Sequence, residues 1–257
     1  MPSLSGLGRV LFGVCLVALG IENVVVARVP ATVSPTLPVL PWLPPHAFLA
    51  YLVGGLLIGG GLAVVARRGV RLVAFLLSCF FGLCALTMQL PRSVAVPLDL
   101  SVRTALLEVL AFCGAAMVLA VLSSSGRVSG LDRLLELGHY LFAVTLFGFG
   151  LAHFLVPHFI ATLIPSWIPF RLFWAYFTGA AFVATGLAIF AGRFDGVAAT
   201  LLGVMFLLWF FSLHVPRILS AERGHNPNEW SSAFIALGMC GASWIVASDA
   251  WQRYRRP

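Results

Sequence analysis

Lysine is absent from this chain of 257 residues, and its sixteen basic residues, all arginine, face only nine acidic ones. Charged residues make up 10% of the chain, against roughly a quarter in a soluble domain, which excludes an ordinary water-soluble globule. The net charge of +7 does not point to nucleic acid, because the arginines stand singly or in short clusters at the ends of apolar runs. That is the pattern of membrane-flanking positive charge. Cysteine is sparse too. Cys15, Cys79, Cys84, Cys113 and Cys240 all lie inside apolar runs and none forms a CxxC pair, which argues for small apolar packing and against a metal or thiol-redox centre. No phosphate loop and no Ser/His/Asp or Cys/His arrangement can be read. Polar linkers are equally scarce: SSSGRVSG (Ser123–Gly130) is the one of note. The lack of lysine fits a GC-rich bacterial genome.

What remains is hydrophobic: 60% of the residues, with a mean hydropathy of +1.00. Runs of about 20 apolar residues between short polar or Pro-rich breaks are membrane-spanning helices. The runs predict helices at about Gly8–Ala27, Ala47–Ala66, Val70–Gln89, Leu100–Leu122, Leu134–Val156, Leu172–Ala191, Gly196–Leu213 and Trp230–Trp251. Six prolines between Pro30 and Pro45 predict a non-helical loop after the first, and Pro91 predicts the end of the third. The first apolar run has no small-residue cleavage site and continues through Glu22, so it reads as a retained helix rather than a signal peptide.

The chain is also written twice. From the tryptophan onward, Trp42 aligns with Trp167, Tyr51 with Tyr176, Gly54 with Gly179, Gly61 with Gly186, Pro91 with Pro216 and Arg92 with Arg217, without a gap. Residues 1–122 form the first copy, 123–133 the linker and 134–257 the second. Four helices per copy is an even number, so the expected fold is all-α: a polytopic membrane protein whose eight transmembrane helices form two parallel four-helix repeats. With the N-terminus inside, ten arginines lie inside and six outside, which orients both termini to the cytoplasm of a bacterial inner membrane.

Polar side chains at membrane depth invite a functional question, because lipid tolerates them poorly. In the second copy these are His153, His158, His214 and Arg217, with His225 and Glu229 near the last helix. The fifth and seventh helices run the same way, so His153 and His214 converge at their outer ends, with Arg217 one turn beyond. Asn23 and Gln89 occupy the corresponding positions of the first copy, where an amide keeps a hydrogen bond but cannot take up a proton. One half therefore reads as reactive and the other as structural. Two histidines are compatible with several roles: hydrogen-bonding a quinone carbonyl, relaying a proton, ligating haem axially or joining a copper or zinc site. They are equally compatible with capping helix ends. Trp42, Trp167, Tyr51 and Tyr176 read first as interfacial anchors and second as ligand-stacking aromatics. Glu22 is expected to pair with Arg92 or Arg103, and Glu108 to face the bundle interior with Arg103 nearby as a buried charge.

The text GLAHFLVPHFIATLIPSWIPF, the helix AYFTGAAFVATGLAIF and the closing SLHVPR resemble the DoxX-like family of four-helix bacterial membrane proteins. Some 80 residues of the second copy carry the resemblance, and the first copy extends it as a diverged duplicate. It implies a relation to subunits of thiosulfate:quinone oxidoreductase and to membrane-bound oxidative-stress complexes, with distant relatives acting as cargo receptors or assembly chaperones. By that resemblance His153 and His214 inherit any family role, and Asn23 and Gln89 depart from it. The expected function is a quinone-linked subunit of a membrane oxidoreductase with a soluble or membrane redox partner protein. The alternatives are a non-enzymatic scaffold or assembly factor and a small-molecule transporter. The expected ligand is a quinone, before haem or copper, and the expected surroundings are the lipid bilayer.

Overall fold

The computed structural model describes residues 4–26, 46–124, 130–220 and 227–255. These are helical, without a strand among the described residues, and eight of the helical stretches are long and apolar enough to cross a membrane. Twelve α-helices make them up: α1 (Leu4–Val26), α2 (His46–Val65), α3 (Val70–Cys84), α4 (Leu90–Ala95), α5 (Leu100–Leu122), α6 (Gly130–Glu136), α7 (Gly138–Leu155), α8 (Pro157–Leu163), α9 (Arg171–Ala191), α10 (Asp195–Trp209), α11 (Val215–Leu219) and α12 (Pro227–Arg255).

The helices stand in a ring in which α2 packs on α1, α1 on α12, α12 on α10, α10 on α9, α9 on α7, α7 on α5, α5 on α3 and α3 on α2. Contact between α5 and α12 crosses the ring, and these two are the most buried spans. Lipid is as apolar as the side chains, so close backbone approach rather than water exclusion holds such a bundle together. Glycines supply it: a Cβ on Gly241 would meet the Gly8 carbonyl at 2.7 Å, and one on Gly114 the Gly138 carbonyl at 2.5 Å.

Several predicted boundaries move. The third and seventh spans do not stop near Pro91 and Leu213. Each passes through a π-helical turn, Ala85–Gln89 and Phe210–His214, and continues as α4 and α11. In those turns the Leu90 N–H donates to the Ala85 carbonyl and the Val215 N–H to the Phe210 carbonyl, five residues back. That shift of register moves the carbonyls with which the rings of Pro91 and Pro216 would clash, so the helix survives the proline. The predicted fifth helix, Leu134–Val156, is interrupted at Leu137, begins as α6 inside the predicted linker, and is followed by α8 over PHFIATL. Asp99 starts α5 as a side-chain cap, accepting from Ser101 N at 2.9 Å and Val102 N at 3.3 Å.

Candidate functional site

His214 is the last residue of the second π turn. The extra residue in that turn rotates everything beyond it by about 100° relative to an α-helix, which re-aims the side chain at its end. The imidazole lines a cavity of about 270 Å³ between α5, α7, α9, α10 and α12. Its Nδ1 is buried and has no hydrogen-bond partner in the protein.

His153 lines the same cavity from the last turn of α7. Its Nδ1 lies 2.8 Å from the Phe149 carbonyl oxygen. A carbonyl only accepts, so Nδ1 carries the proton and Nε2 of the neutral ring is left as an acceptor. The ring is held from the side by the edge of Phe182, with centroids 5.2 Å apart. Glu108 enters from α5 and Ser232 from α12, and the remaining wall is mainly aliphatic and aromatic. Two imidazoles and a carboxyl therefore share one largely apolar chamber. Among the described residues no three His, Cys, Asp or Glu side chains come close enough to hold a metal ion.

Two further spaces adjoin the chamber. One, of about 550 Å³, shares Glu108, His153 and Ser232 with it and reaches Arg92, Ser101 and Ser231. The other, of about 780 Å³, is an almost wholly apolar groove between α9 and α10 that shares Thr178 and Trp209 with the chamber and has Trp167 and Ile168 on its wall. The chamber thus has a polar neighbour on one side and an apolar, lipid-like neighbour on the other.

A family described as "Domain of unknown function (DUF8561)" matches residues 142–252. No curated protein and no solved structure matches the chain. The matched stretch takes in His153, His214 and Ser232 and leaves Glu108 outside, so the chamber draws its carboxyl from sequence beyond that family's boundary.

The other predicted residues are dispersed. Arg217 does not line the chamber; its Nε lies 3.8 Å from Glu229 Oε2 across the α11–α12 contact. Trp167 is 66% exposed beside the apolar groove, while Tyr176 is on the outer side, stacked on Phe154. Tyr51 is exposed on α2, and Trp42 and His225 lie outside the described residues. Arg103, expected as a buried charge, is exposed in the first turn of α5. Glu22 does not pair with Arg92 or Arg103: it accepts a hydrogen bond from the Ser231 hydroxyl of α12, which the ring places beside α1. In the first half, Gln89 ends the other π turn, buried, and Asn23 is fully buried with neither amide atom hydrogen-bonded within the protein. Glu108 and Ser232 are the site residues that sequence reasoning did not attach to the histidines. Linking them required knowing that α5 and α12 meet at the centre of the ring.

Proposed function

We propose that the chain is a quinone-binding subunit of a membrane oxidoreductase, seated in a bacterial inner membrane with both termini in the cytoplasm. The single observation that carries this reading is the unpartnered, buried Nδ1 of His214 in a chamber that also holds His153 and Glu108. A buried polar atom without a partner costs about 1–3 kcal/mol, and a ligand oxygen would recover it. A quinone matches the surroundings as a whole. Its carbonyl oxygens suit the imidazoles, its ring suits the Phe149, Phe182 and Trp209 walls, and its isoprenoid tail suits the apolar groove that joins the chamber at Thr178 and Trp209. A quinone that gains two electrons takes up two protons. The electrons would come from a partner redox protein, and Glu108 and the Nε2 atom of His153 are the groups placed to exchange protons with the head group.

The tandem duplication supports a division of labour between the halves. Neighbours repeat around the ring: α1–α2 with α7–α9, α1–α12 with α7–α5, α12–α10 with α5–α3. The close glycine crossings Gly8–Gly241 and Gly138–Gly114 repeat as well, as do the two π turns. This agrees with a pseudo-twofold axis and with the four-helix unit of the DoxX-like resemblance. The second half then carries the ionisable pair, and the first keeps amides at the same places.

The test is purification in mild detergent followed by organic extraction and an absorbance spectrum. About one quinone per chain is expected, and His214→Ala should lower its retention roughly 5- to 30-fold, the worth of one buried hydrogen bond of about 1–2 kcal/mol. A folded chain whose extract holds no quinone, even after the lipid is supplemented with it, refutes the reading.

A further inference from the structure

The end of the bundle opposite the histidines carries Arg9, Arg67, Arg68 and Arg71. There the α2–α3 turn and the first turn of α3 border a cavity of about 600 Å³, closed on the other side by α6 and the end of α5. Its polar side chains are Arg67, Arg71 and Ser123. Arg71 is held in place by Asp132, Nη2 to Oδ1 at 2.9 Å, which neutralises it, whereas Arg67 brings a positive charge that no carboxylate among the described residues pairs. Arg9 lies near enough for the two charges to act on each other, and its Nε is buried without a partner. Like charges gathered this closely repel unless an anion sits among them. The backbone adds to the field: Gly69 offers no side-chain cap, and the first intrahelical bond of α3 begins at Val73 N, leaving the N–H groups of Val70, Arg71 and Leu72 without helical acceptors. Leu72, Phe75, Leu131 and Leu135 supply an apolar wall alongside, and Leu72 and Leu131 are exposed at the bundle surface.

A ligand for this place needs an anionic group at the height of the helix ends and an apolar body running down the bundle. We propose that the cavity is a binding site for an anionic phospholipid: the phosphate lies between Arg67, Arg71 and the start of α3, and the acyl chains lie against Leu72 and Leu131. Basic pockets between spans at the arginine-rich end of a membrane protein recognise such head groups. The site shares no residue with the histidine chamber and stands whether or not a quinone binds there.

The test uses the full chain, delipidated in a non-ionic detergent, with native mass spectrometry counting the lipid retained from added phosphatidylglycerol or phosphatidylcholine. Phosphatidylglycerol should be retained preferentially. Arg67→Asn should weaken it about fivefold, one arginine's share of the attraction. This variant suits its position, because Arg67 has φ of 59° and asparagine tolerates that left-handed conformation better than arginine. Arg193→Asn, which removes an exposed arginine at the same end but off the cavity, should leave retention unchanged. Equal retention of the two lipids, or equal retention by the two variants, overturns the proposal. Displacement of the lipid by an equal concentration of inorganic phosphate overturns it too, by showing a soluble anion as the ligand.

Discussion

A methyl group added at Gly179 tests how the bundle positions His153. Gly179 faces α7 from the middle of α9, and a Cβ there would stand 2.7 Å from the Cβ of His153 and 3.4 Å from the Gly150 carbonyl oxygen. Ordinary contact begins at 3.4 Å, so His153 falls about 0.7 Å short of room. The atom met is a Cβ, fixed to the backbone, so no rotamer change relieves the clash and α7 itself must move. Two turns along the same helix, Gly186 is a matched control. A Cβ there meets the Phe147 ring edge at 3.1 Å, which can yield, and the Ala143 carbonyl oxygen at 3.3 Å, only about 0.1 Å inside ordinary contact. Gly→Ala gains roughly 1 kcal/mol of helix propensity at either position, while overpacking against backbone costs about 1–3 kcal/mol. Gly179→Ala should therefore lose up to about 2 kcal/mol and Gly186→Ala should gain up to about 1 kcal/mol. At about 2–4 °C per kcal/mol, the two melting temperatures in detergent should differ by several degrees. Gly179→Ala should also disturb the His153 Nδ1–Phe149 bond and lower ligand retention, which Gly186→Ala should leave alone. A Gly179→Ala protein as stable as Gly186→Ala would refute the close crossing of α7 and α9.

Other outcomes follow from single contacts. Asp195 is 2% exposed and accepts from Arg253 Nη2 at 2.8 Å and from the Tyr254 hydroxyl at 2.6 Å, so Asp195→Asn should lower thermal stability by about 1–3 kcal/mol, less than a fully buried pair because Arg253 is partly solvated. An unchanged melting temperature would remove this tie between α10 and α12. The Ser101 hydroxyl and the backbone N–H of Val102 and Ser101 hold the Asp99 carboxyl below the usual carboxylate range. Its stabilising effect is thus complete above the ordinary pKa of about 4 and is lost as pH falls through the lower, folded value. Asp99→Asn should flatten that part of a pH–stability curve, and identical curves for both proteins would refute the cap. Gly55→Ala and Gly59→Ala meet nothing within 4 Å and should leave the melting temperature unchanged or raise it slightly.

The spans were legible because an apolar stretch of about 20 residues has few other uses. That His153 and His214 share one end of the bundle was legible too, from the parity of the helices that carry them. The π turns were not. The text around Pro91 and Pro216 reads as two helix ends, since a proline removes a backbone donor, and the compensating register shift leaves no residue type of its own. Glu108 was recognised as facing inward, but its company was hidden, because one sequence does not say which helices are neighbours in the ring. The partner of Glu22 was misjudged for the same reason: an arginine looked a natural match, yet Ser231 lies 209 positions away on the adjacent helix. The short helix α8 falls in the gap between the predicted helices Leu134–Val156 and Leu172–Ala191, since seven residues are too few to display a period.

The three-residue turn Gly192–Phe194 joins α9 to α10, with φ of 60° at Gly192 and 59° at Phe194. The Tyr254 hydroxyl, which donates to Asp195 at 2.6 Å, also lies 3.2 Å from the Gly192 carbonyl oxygen, and Asp195 is tied to Arg253 as well. The two walls of the apolar groove are thus pinned together at this end, while near Trp167 they meet through the edge-on contact of Trp174 with Trp209, ring centroids 6.4 Å apart. For the quinone proposed above, this makes the groove an aromatic-edged slot: its tail would lie between a clasped turn at one end and the Trp174–Trp209 edge at the other.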